Sequence, residues 1–292
     1  MLRALTTFCV AAETGSLNET AARLMLSQPG VSKQIKSLED DLGVQLLVRG
    51  ARGVDLTPVG RQVYRMARRA VAAAEGCRRV AAAWKDPDHG RLVVAAGLTL
   101  TLFALPPVIA AFRRRAPGVR LEVVTGDSRE SLARLLEFEA DVALVTSPMA
   151  HPEVQAIPLF VDPLVVVAQA GVPLPARVAD VGGSTLISFK SGSGLRDYVD
   201  QVLESRGAHP EVVMEFDSIE AIKTMAGLGL GLALLPWSAV RDDVAAGRLG
   251  GARLEDWPDA GRTVTLLRRR AGLRAGPVGT FTTIAREVLG AR

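Results

Sequence analysis

The chain has 292 residues, 48% hydrophobic and 23% charged, with only two cysteines, Cys9 and Cys77. That length has room for two or three domains, and so much apolar material buries substantial cores, which excludes intrinsic disorder and a disulfide-stapled miniature scaffold. The net charge of +4 is unevenly placed: residues 1–85 carry 13 Lys+Arg against 7 Asp+Glu, and residues 86–292 carry 22 against 24, so a basic, polyanion-binding head precedes a near-neutral body.

Leu2, Leu5, Phe8 and Ala12 recur at helical spacing and Thr6 and Thr7 interrupt the apolar run, so the N-terminus reads as a domain's first helix rather than a signal peptide. A second helix is predicted near Asn18 to Met25, with Asn18 as N-cap and Ala21, Ala22 and Leu24 facing the core. A third begins after the N-cap Ser27, has Pro29 in its first turn, and ends at Gly43. Val31, Ile35, Leu38 and Leu42 form its apolar stripe, and Gln28, Ser32, Lys33 and Lys36 lie on the opposite face. Amides and hydroxyls near a helix start can reach base edges in a major groove, while lysines further along neutralise phosphates; the bland alternative is a solvated polar face. Gln45 to Val48, a turn at Gly50 to Gly53, and Val54 to Thr57 then read as a hairpin carrying Arg49 and Arg52. That is the wing of a winged helix-turn-helix, with arginines for phosphates or the minor groove.

After the cap Thr57 and Pro58 at the first helical position, no proline interrupts the chain before Pro87. Val59, Val63, Met66, Ala70, Ala73, Cys77, Val80 and Trp84 alternate at spacings of four and three, the seam of a coiled coil that pairs two heads. An ordinary amphipathic helix lying on its own domain is the alternative.

The head residues Phe8, Gly15-Ser16-Leu17, Ala21, Leu24, Ser27-Gln28-Pro29, Val31-Ser32, Gln34-Ile35, Leu38-Glu39, Leu42-Gly43, Leu46, Arg49, Leu56-Thr57 and Gly60 resemble, in order and spacing, the N-terminal pattern of LysR-type transcriptional regulators. The run SQPGVSKQIKSLEDDLG is similar to the branch that includes cysteine-biosynthesis regulators. The resemblance implies that Gln28, Pro29, Ser32 and Lys33 contact DNA. Leu17 and Leu47 stand where the family usually has phenylalanine, a difference that bears on local packing.

From Arg91 strands and helices alternate: RLVVAAG, a helix to Arg115, VRLEVVTG, a helix from Arg129 to Glu139, and ADVALVT. PLVVVAQ, TLISFK, a helix from Gly194 to Arg206, VVMEF, a helix from Ile219 to Gly227, LGLALLP and TVTLLRR follow. Leu92 to Phe112 is uncharged and long enough for a bilayer, but its glycine, threonines and prolines fit a buried strand and a core helix better. The predicted class is α/β: a winged helix-turn-helix at 1–57, a linker helix at 58–86, and a body at 91–292 of two doubly wound subdomains. The resemblance implies a body like a periplasmic binding protein, with crossovers near Phe160 to Pro163 and Thr263 to Leu267. That gives subdomain I at 91–161 with 267–292 and subdomain II at 162–266.

Ligands in such folds bind beyond the carboxyl ends of strands. Three strand-to-helix junctions supply candidate effector contacts: Thr99 and Thr101; Gly126 and Ser128; Ser191, Ser193 and Arg196. Small residues, hydroxyls and a guanidinium there suit a carboxylate or an oxyanion, the alternative being loops with ordinary capping serines. The resemblance places relatives' ligand contacts at Thr99 and in the third loop. The cysteine-regulator branch is more polar at the first junction than Leu98, Leu100 and Leu102, which points from sulfate to an organic acid.

Gly227 to Gly231 is glycine-rich but follows a helix and precedes a strand, the reverse of a nucleotide-binding loop. His89, His151 and His209 show no metal spacing, and neither a metal nor a cofactor is expected. No nucleophile motif appears, so an enzyme is not expected, a small-molecule transferase or hydrolase on the α/β body being the alternative. The expected protein is a cytoplasmic homodimer or homotetramer that binds double-stranded promoter DNA and a small anionic effector, with RNA polymerase as a candidate partner and no membrane.

Overall fold

A computed structural model describes residues 1–50, 53–85, 89–146, 149–257, 260–271 and 276–290. The chain divides into two compact units, Met1–Asp86 with Leu136–Glu139, and Pro87–Leu135 with Ala140–Arg292.

The first unit opens with α1 (Leu2–Thr14), α2 (Leu17–Leu24) and α3 (Gln28–Leu42). The N-cap of α2 is Ser16, not Asn18: its side chain accepts from the Glu19 amide, and its extended backbone frees that oxygen to do so. Ser27 caps α3 by accepting from the Gly30 amide, and Gly43 closes it in a left-handed conformation. Val31, Ile35 and Leu38 are buried with Phe8, Cys9 and Ala21. Ala22 and Leu42 are exposed, so the apolar stripe of each helix is narrower than expected.

β1 (Leu47–Gly50) and β2 (Gly53–Leu56) form the antiparallel hairpin, and α4 (Pro58–Lys85) follows, its first turn capped by the Thr57 hydroxyl on the Gly60 amide. Two glycines permit close backbone approach. A Cβ on Gly53 would sit 2.0 Å from the Gly15 carbonyl, and one on Gly60 would sit 2.1 Å from the Leu46 carbonyl. The Glu39 carboxylate accepts from both the Leu46 and Leu47 amides, which ties α3 to the hairpin. Ala67 and Tyr64 of α4 pack on the head's own core, whereas Val59, Met66, Ala70 and Cys77 on the predicted seam are exposed. Side chains of Val80 and Trp84 lie outside the described residues.

The second unit begins with β3 (Gly90–Ala96), α5 (Leu98–Phe103), α6 (Leu105–Arg115), β4 (Val119–Thr125), α7 (Ser128–Leu136) and β5 (Val142–Val145). The helix expected to run to Arg115 is broken at Ala104, where Pro106 and Pro107 open a new first turn. Helix α7 ends three residues before the expected Glu139, and Phe138 takes a positive φ. β6 (Val154–Gln169) is twice the expected length. Pro158 and Pro163 argue against a strand, yet they are accommodated, Pro158 beside a register shift opposite Val264 and Thr265.

Then come α8 (Val178–Val181), β7 (Thr185–Phe189), α9 (Gly194–Ser205), β8 (Glu211–Phe216), α10 (Ile219–Gly227), β9 (Ala233–Pro236), α11 (Trp237–Ala245), β10 (Leu249–Ala252), β11 (Gly261–Arg269) and α12 (Gly276–Leu289). α8, α11 and β10 carry no strong sequence signal. Gly227 ends α10, and Gly229 turns the chain at positive φ towards β9.

Strands β3, β4 and β5 are mutually parallel around β3, and β11 joins β5 antiparallel. They share one core in which Leu92, Val94, Phe112, Leu144 and Phe281 are fully buried, so α12 returns the chain end to the first lobe. In the second lobe β6 is flanked by β9 and β10, and β7 pairs in parallel with β8. There Leu164 and Val166 face one core and Val165 and Val167 the other, the two-faced burial that makes this strand a continuous apolar run. Two long strands, β6 and β11, cross between the lobes and are paired from Gly261 opposite Pro163 to Arg269 opposite Val154.

Candidate nucleic-acid interface and effector cleft

On α3, Gln28, Pro29, Lys33 and Lys36 are exposed and Ser32 is half-buried. The Gln28 amide donates to the Ser32 hydroxyl at 3.1 Å, which fixes both side chains before any partner arrives. Ser32 and Lys36 line a groove of about 750 Å³ between α3 and the hairpin, floored by Leu17, Leu47 and Val54. The chemistry of this face, an exposed helix with amide, hydroxyl and ammonium donors beside a two-stranded wing, suits a major groove. The Arg49 side chain and Arg52 lie outside the described residues.

In the body, β3, β4 and β5 end together, and hydrogen bonds knit the loops that follow. The Gly126 amide donates to the Ala96 carbonyl at 3.2 Å, and the Thr146 amide donates to the Ser128 hydroxyl at 3.3 Å. Arg262, at the start of β11, sends its Nε to the Thr146 carbonyl at 3.2 Å. Burial of this guanidinium pulls its pKa down, against the opposing pull of Tyr198 and Asp162. Asp162 is itself buried and accepts from the Ser238 amide and hydroxyl at 3.0 and 2.6 Å. The Tyr198 hydroxyl of α9 donates to the Gly261 carbonyl. Strand ends, hinge strands and α9 therefore meet around Arg262.

The candidate effector residues fare unequally. Thr99 is half-buried and its hydroxyl bonds to no described residue. Thr101 spends its hydroxyl on the Gly97 carbonyl at 3.0 Å. Gly126 spends its amide on Ala96, and the first turn of α7 is filled internally, Asp127 and Glu130 each accepting from the other's amide; the expected anion cradle at this junction is thus occupied by the chain's own carboxylates. Ser128 keeps its hydroxyl proton available.

At the third junction Ser191 is exposed and Ser193 caps α9. Arg196 is the most fully engaged of the candidate effector residues. Its guanidinium donates to Asp200, Glu215 and the Phe189 carbonyl, at 2.6, 2.6 and 2.8 Å. Burial opposes its charge, but the two carboxylates outweigh that and raise its pKa. It is a structural cation holding α9 to β8, because the helical i,i+4 aspartate and the neighbouring strand glutamate reach it first.

A packing contact also joins the lobes. Phe103 of α5 packs against the second-lobe core with Trp237, and the Lys223 ammonium lies 5.3 Å from its ring centroid. Lys223 is held by Asp243 at 2.6 Å and Glu220 at 3.1 Å.

Residues 85–290 match the LysR substrate binding domain, and residues 2–61 match the bacterial regulatory helix-turn-helix protein, lysR family. The chain belongs to the LysR family. Among its relatives is the HTH-type transcriptional regulator CbbR of Xanthobacter flavus, 34% identical over 88% of this chain and 79% of that one. Another is the HTH-type transcriptional regulator CysL of Bacillus subtilis, 30% identical over 82% of each. The solved structure of a full-length OxyR variant from Pseudomonas aeruginosa aligns with a TM-score of 0.76 at 29% identity, over 100% of this chain and 99% of that one. This LysR-family chain is therefore a DNA-binding transcriptional regulator with an effector-binding body, and the transferase or hydrolase alternative falls, since its relatives are regulators. LysR regulators bind promoter DNA and small-molecule effectors, and they oligomerise.

Two site features of this LysR-family regulator escape a reading of the sequence. Arg262 reads there as one residue in a strand following a glycine, and only the crossing of β6 and β11 brings it to the end of β5. Glu39 reads as one more charge on a helix, whereas its backbone contacts set where the wing stands. No helix among the described residues is long and apolar enough to cross a membrane.

Proposed function

We propose that this LysR-family regulator reads promoter DNA as a dimer of dimers and senses a small organic carboxylate in the cleft between the two lobes of its body. The domain division that goes with this reading is 1–57 for the winged helix-turn-helix, 58–86 for the linker helix, and 91–292 for the body, the subdomains being 91–161 with 267–292, and 162–266. Exposed apolar residues on one face of α4 favour pairing through that helix. Gln28, Pro29, Ser32 and Lys33 take base edges and the adjacent backbone, with Lys36, Arg49 and Arg52 on phosphates.

The observation that carries the effector reading is the meeting of three parallel strand ends beside an unengaged hydroxyl, Thr99, and a desolvated cation, Arg262. An anion brought alongside Arg262 offsets the desolvation that burial imposes. Ser128, Ser191 and Ser193 supply further hydroxyls. Exposed Leu98 and Leu102 at the first junction favour an acid with an apolar body over an inorganic oxyanion. Effector binding then closes the lobes, shifting the Phe103 to Lys223 contact and the pairing of β6 with β11.

A thermal-shift screen of aliphatic and aromatic monocarboxylates against the full-length protein tests this, since a ligand of the folded state raises the midpoint. Thr99→Val abolishes the shift while DNA binding persists in a gel-shift titration. A full shift retained by Thr99→Val would refute the site.

A further inference from the structure

The far end of the β6 to β11 ladder holds a second polar cavity that shares no residue with the effector cleft. Arg268 lies six residues beyond Arg262 on β11, about 20 Å along an extended strand. Gly279, Thr282, Thr283 and Arg286 stand at i, i+3, i+4 and i+7 on one face of α12. With Arg268 and the first residues of β6 from Gln155 to Pro158, they enclose about 410 Å³.

Among the described residues, the lining contains two guanidinium groups and no carboxylate. Arg268 is oriented by its Nε, which donates to the Gln155 Oε1 at 2.9 Å. Arg286 is exposed, and its guanidinium bonds to no described residue. The carboxylate nearest to it in the chain, Glu287, is drawn instead to Arg115 on α6, at 3.5 Å. Thr282 spends its hydroxyl on the Val278 carbonyl, whereas Thr283 is exposed with its hydroxyl unengaged by any described residue.

We propose that this cavity binds the phosphate group of a small phosphorylated metabolite. Two arginines from different elements bring two positive charges to one cavity whose described lining holds no acid, which matches a group carrying nearly two negative charges at neutral pH. Guanidinium forks pair with phosphate oxygens through parallel N–H donors, and the Thr283 hydroxyl adds another. The volume falls at the lower end of the range for small-molecule pockets and exceeds many times that of one water molecule, leaving room for an organic part beyond the phosphate. The regulator thereby carries a second ligand site, distinct from the carboxylate cleft and independent of it.

Phosphorus NMR line broadening of inorganic phosphate and of glycerol 3-phosphate, titrated with the DNA-free full-length protein, tests the assignment. Saturable broadening of both is expected, glycerol 3-phosphate binding the tighter. Arg286→Ala, an exposed position at which folding is retained, weakens binding at least about tenfold, the effect of one charge-assisted hydrogen bond. Arg268→Gln does the same, while Thr99→Val and Lys36→Ala leave the affinity unchanged, separating this cavity from the cleft and from the DNA-binding face. Unchanged affinity in Arg286→Ala, or no saturable broadening, would overturn the site. Tighter competition by succinate than by glycerol 3-phosphate would overturn the phosphate assignment.

Discussion

The head and the body use their polar side chains in opposite ways. On α3 of the head, Gln28, Lys33 and Lys36 project into solvent, and the Gln28 to Ser32 hydrogen bond ties together two of the residues proposed to read DNA. At the strand-to-helix junctions of the body, Arg196, Thr101, Gly126, Asp127 and Glu130 are all bonded to their own surroundings, whereas the Thr99 hydroxyl bonds to no described residue. A surface that meets a long polyanion gains from solvated cations ready to displace counterions. A cleft that must answer a small ligand keeps its groups satisfied, because an unpaired polar group in a partly buried space costs stability whenever the ligand is away.

The largest test of this contrast is structural. Gly60→Val places a side chain against the Leu46 carbonyl, where even a Cβ would stand at 2.1 Å, and is expected to cost the head about 3 kcal/mol through forced displacement of α4 from the hairpin. DNA affinity should fall steeply in a gel-shift titration while, in a Trp84→Phe background, tryptophan fluorescence from Trp237 and Trp257 reports an intact body. Concerted loss of both signals would show that the two units do not fold separately.

Asp162→Ala perturbs the other region. It removes the acceptor of two Ser238 hydrogen bonds and the carboxylate that supports the charge of Arg262, with an expected cost of about 2 to 3 kcal/mol by urea denaturation. DNA binding should survive. Simultaneous loss of operator binding would place the hinge in the head's own stability.

Smaller effects sharpen the division of labour within α3. Gln28→Ala is expected to cost about 1 to 3 kcal/mol on a matched operator and little on random DNA, read as a ratio of dissociation constants. Lys36→Ala should weaken all sequences about equally and reduce the salt slope by about one. A base-specific loss on Lys36→Ala would exchange these roles.

The smallest effect concerns Cys9. Burial, with Glu13 nearby, pushes its thiol up to about 12. The neutral thiol is favoured in the folded head, so this stabilisation is fully present below the ordinary thiol pKa and is lost as pH rises from about 9 towards 12. A thiol reagent at about pH 8 should leave Cys9 unmodified in native protein and modify it after denaturation; rapid modification of native Cys9 would contradict its burial beside Phe8.

The readable parts of the sequence are those governed by neighbours in the chain. Ser27, Pro29 and Gly43 mark both ends of α3, and Val31, Ile35 and Leu38 mark its buried side, because capping and helical periodicity act within a few residues. The resemblance to LysR regulators rests on that run together with matching head residues from Phe8 to Gly60. The strands β3, β4 and β5 are legible as apolar runs bounded by turns, whereas β6 reads at half its length, since Pro158 and Pro163 break a strand pattern that the pairing with β11 and a local bulge nevertheless sustain.

The proposed effector cleft lies largely beyond that reach. Whether Arg196 is a ligand contact or a tie between α9 and β8 depends on Glu215, nineteen positions away, and on which group arrives first. Arg262 gains its place from a pairing that brings it to Thr146, 116 positions earlier. The sequence by itself determined the family, the recognition helix and its caps, and the alternating layers of the body, all of which follow from short-range stereochemistry and apolar spacing. Tertiary structure alone decided which charges are neutralised and which hydroxyls are left for a ligand, because electrostatic pairing and burial are properties of residues brought together from distant parts of the chain.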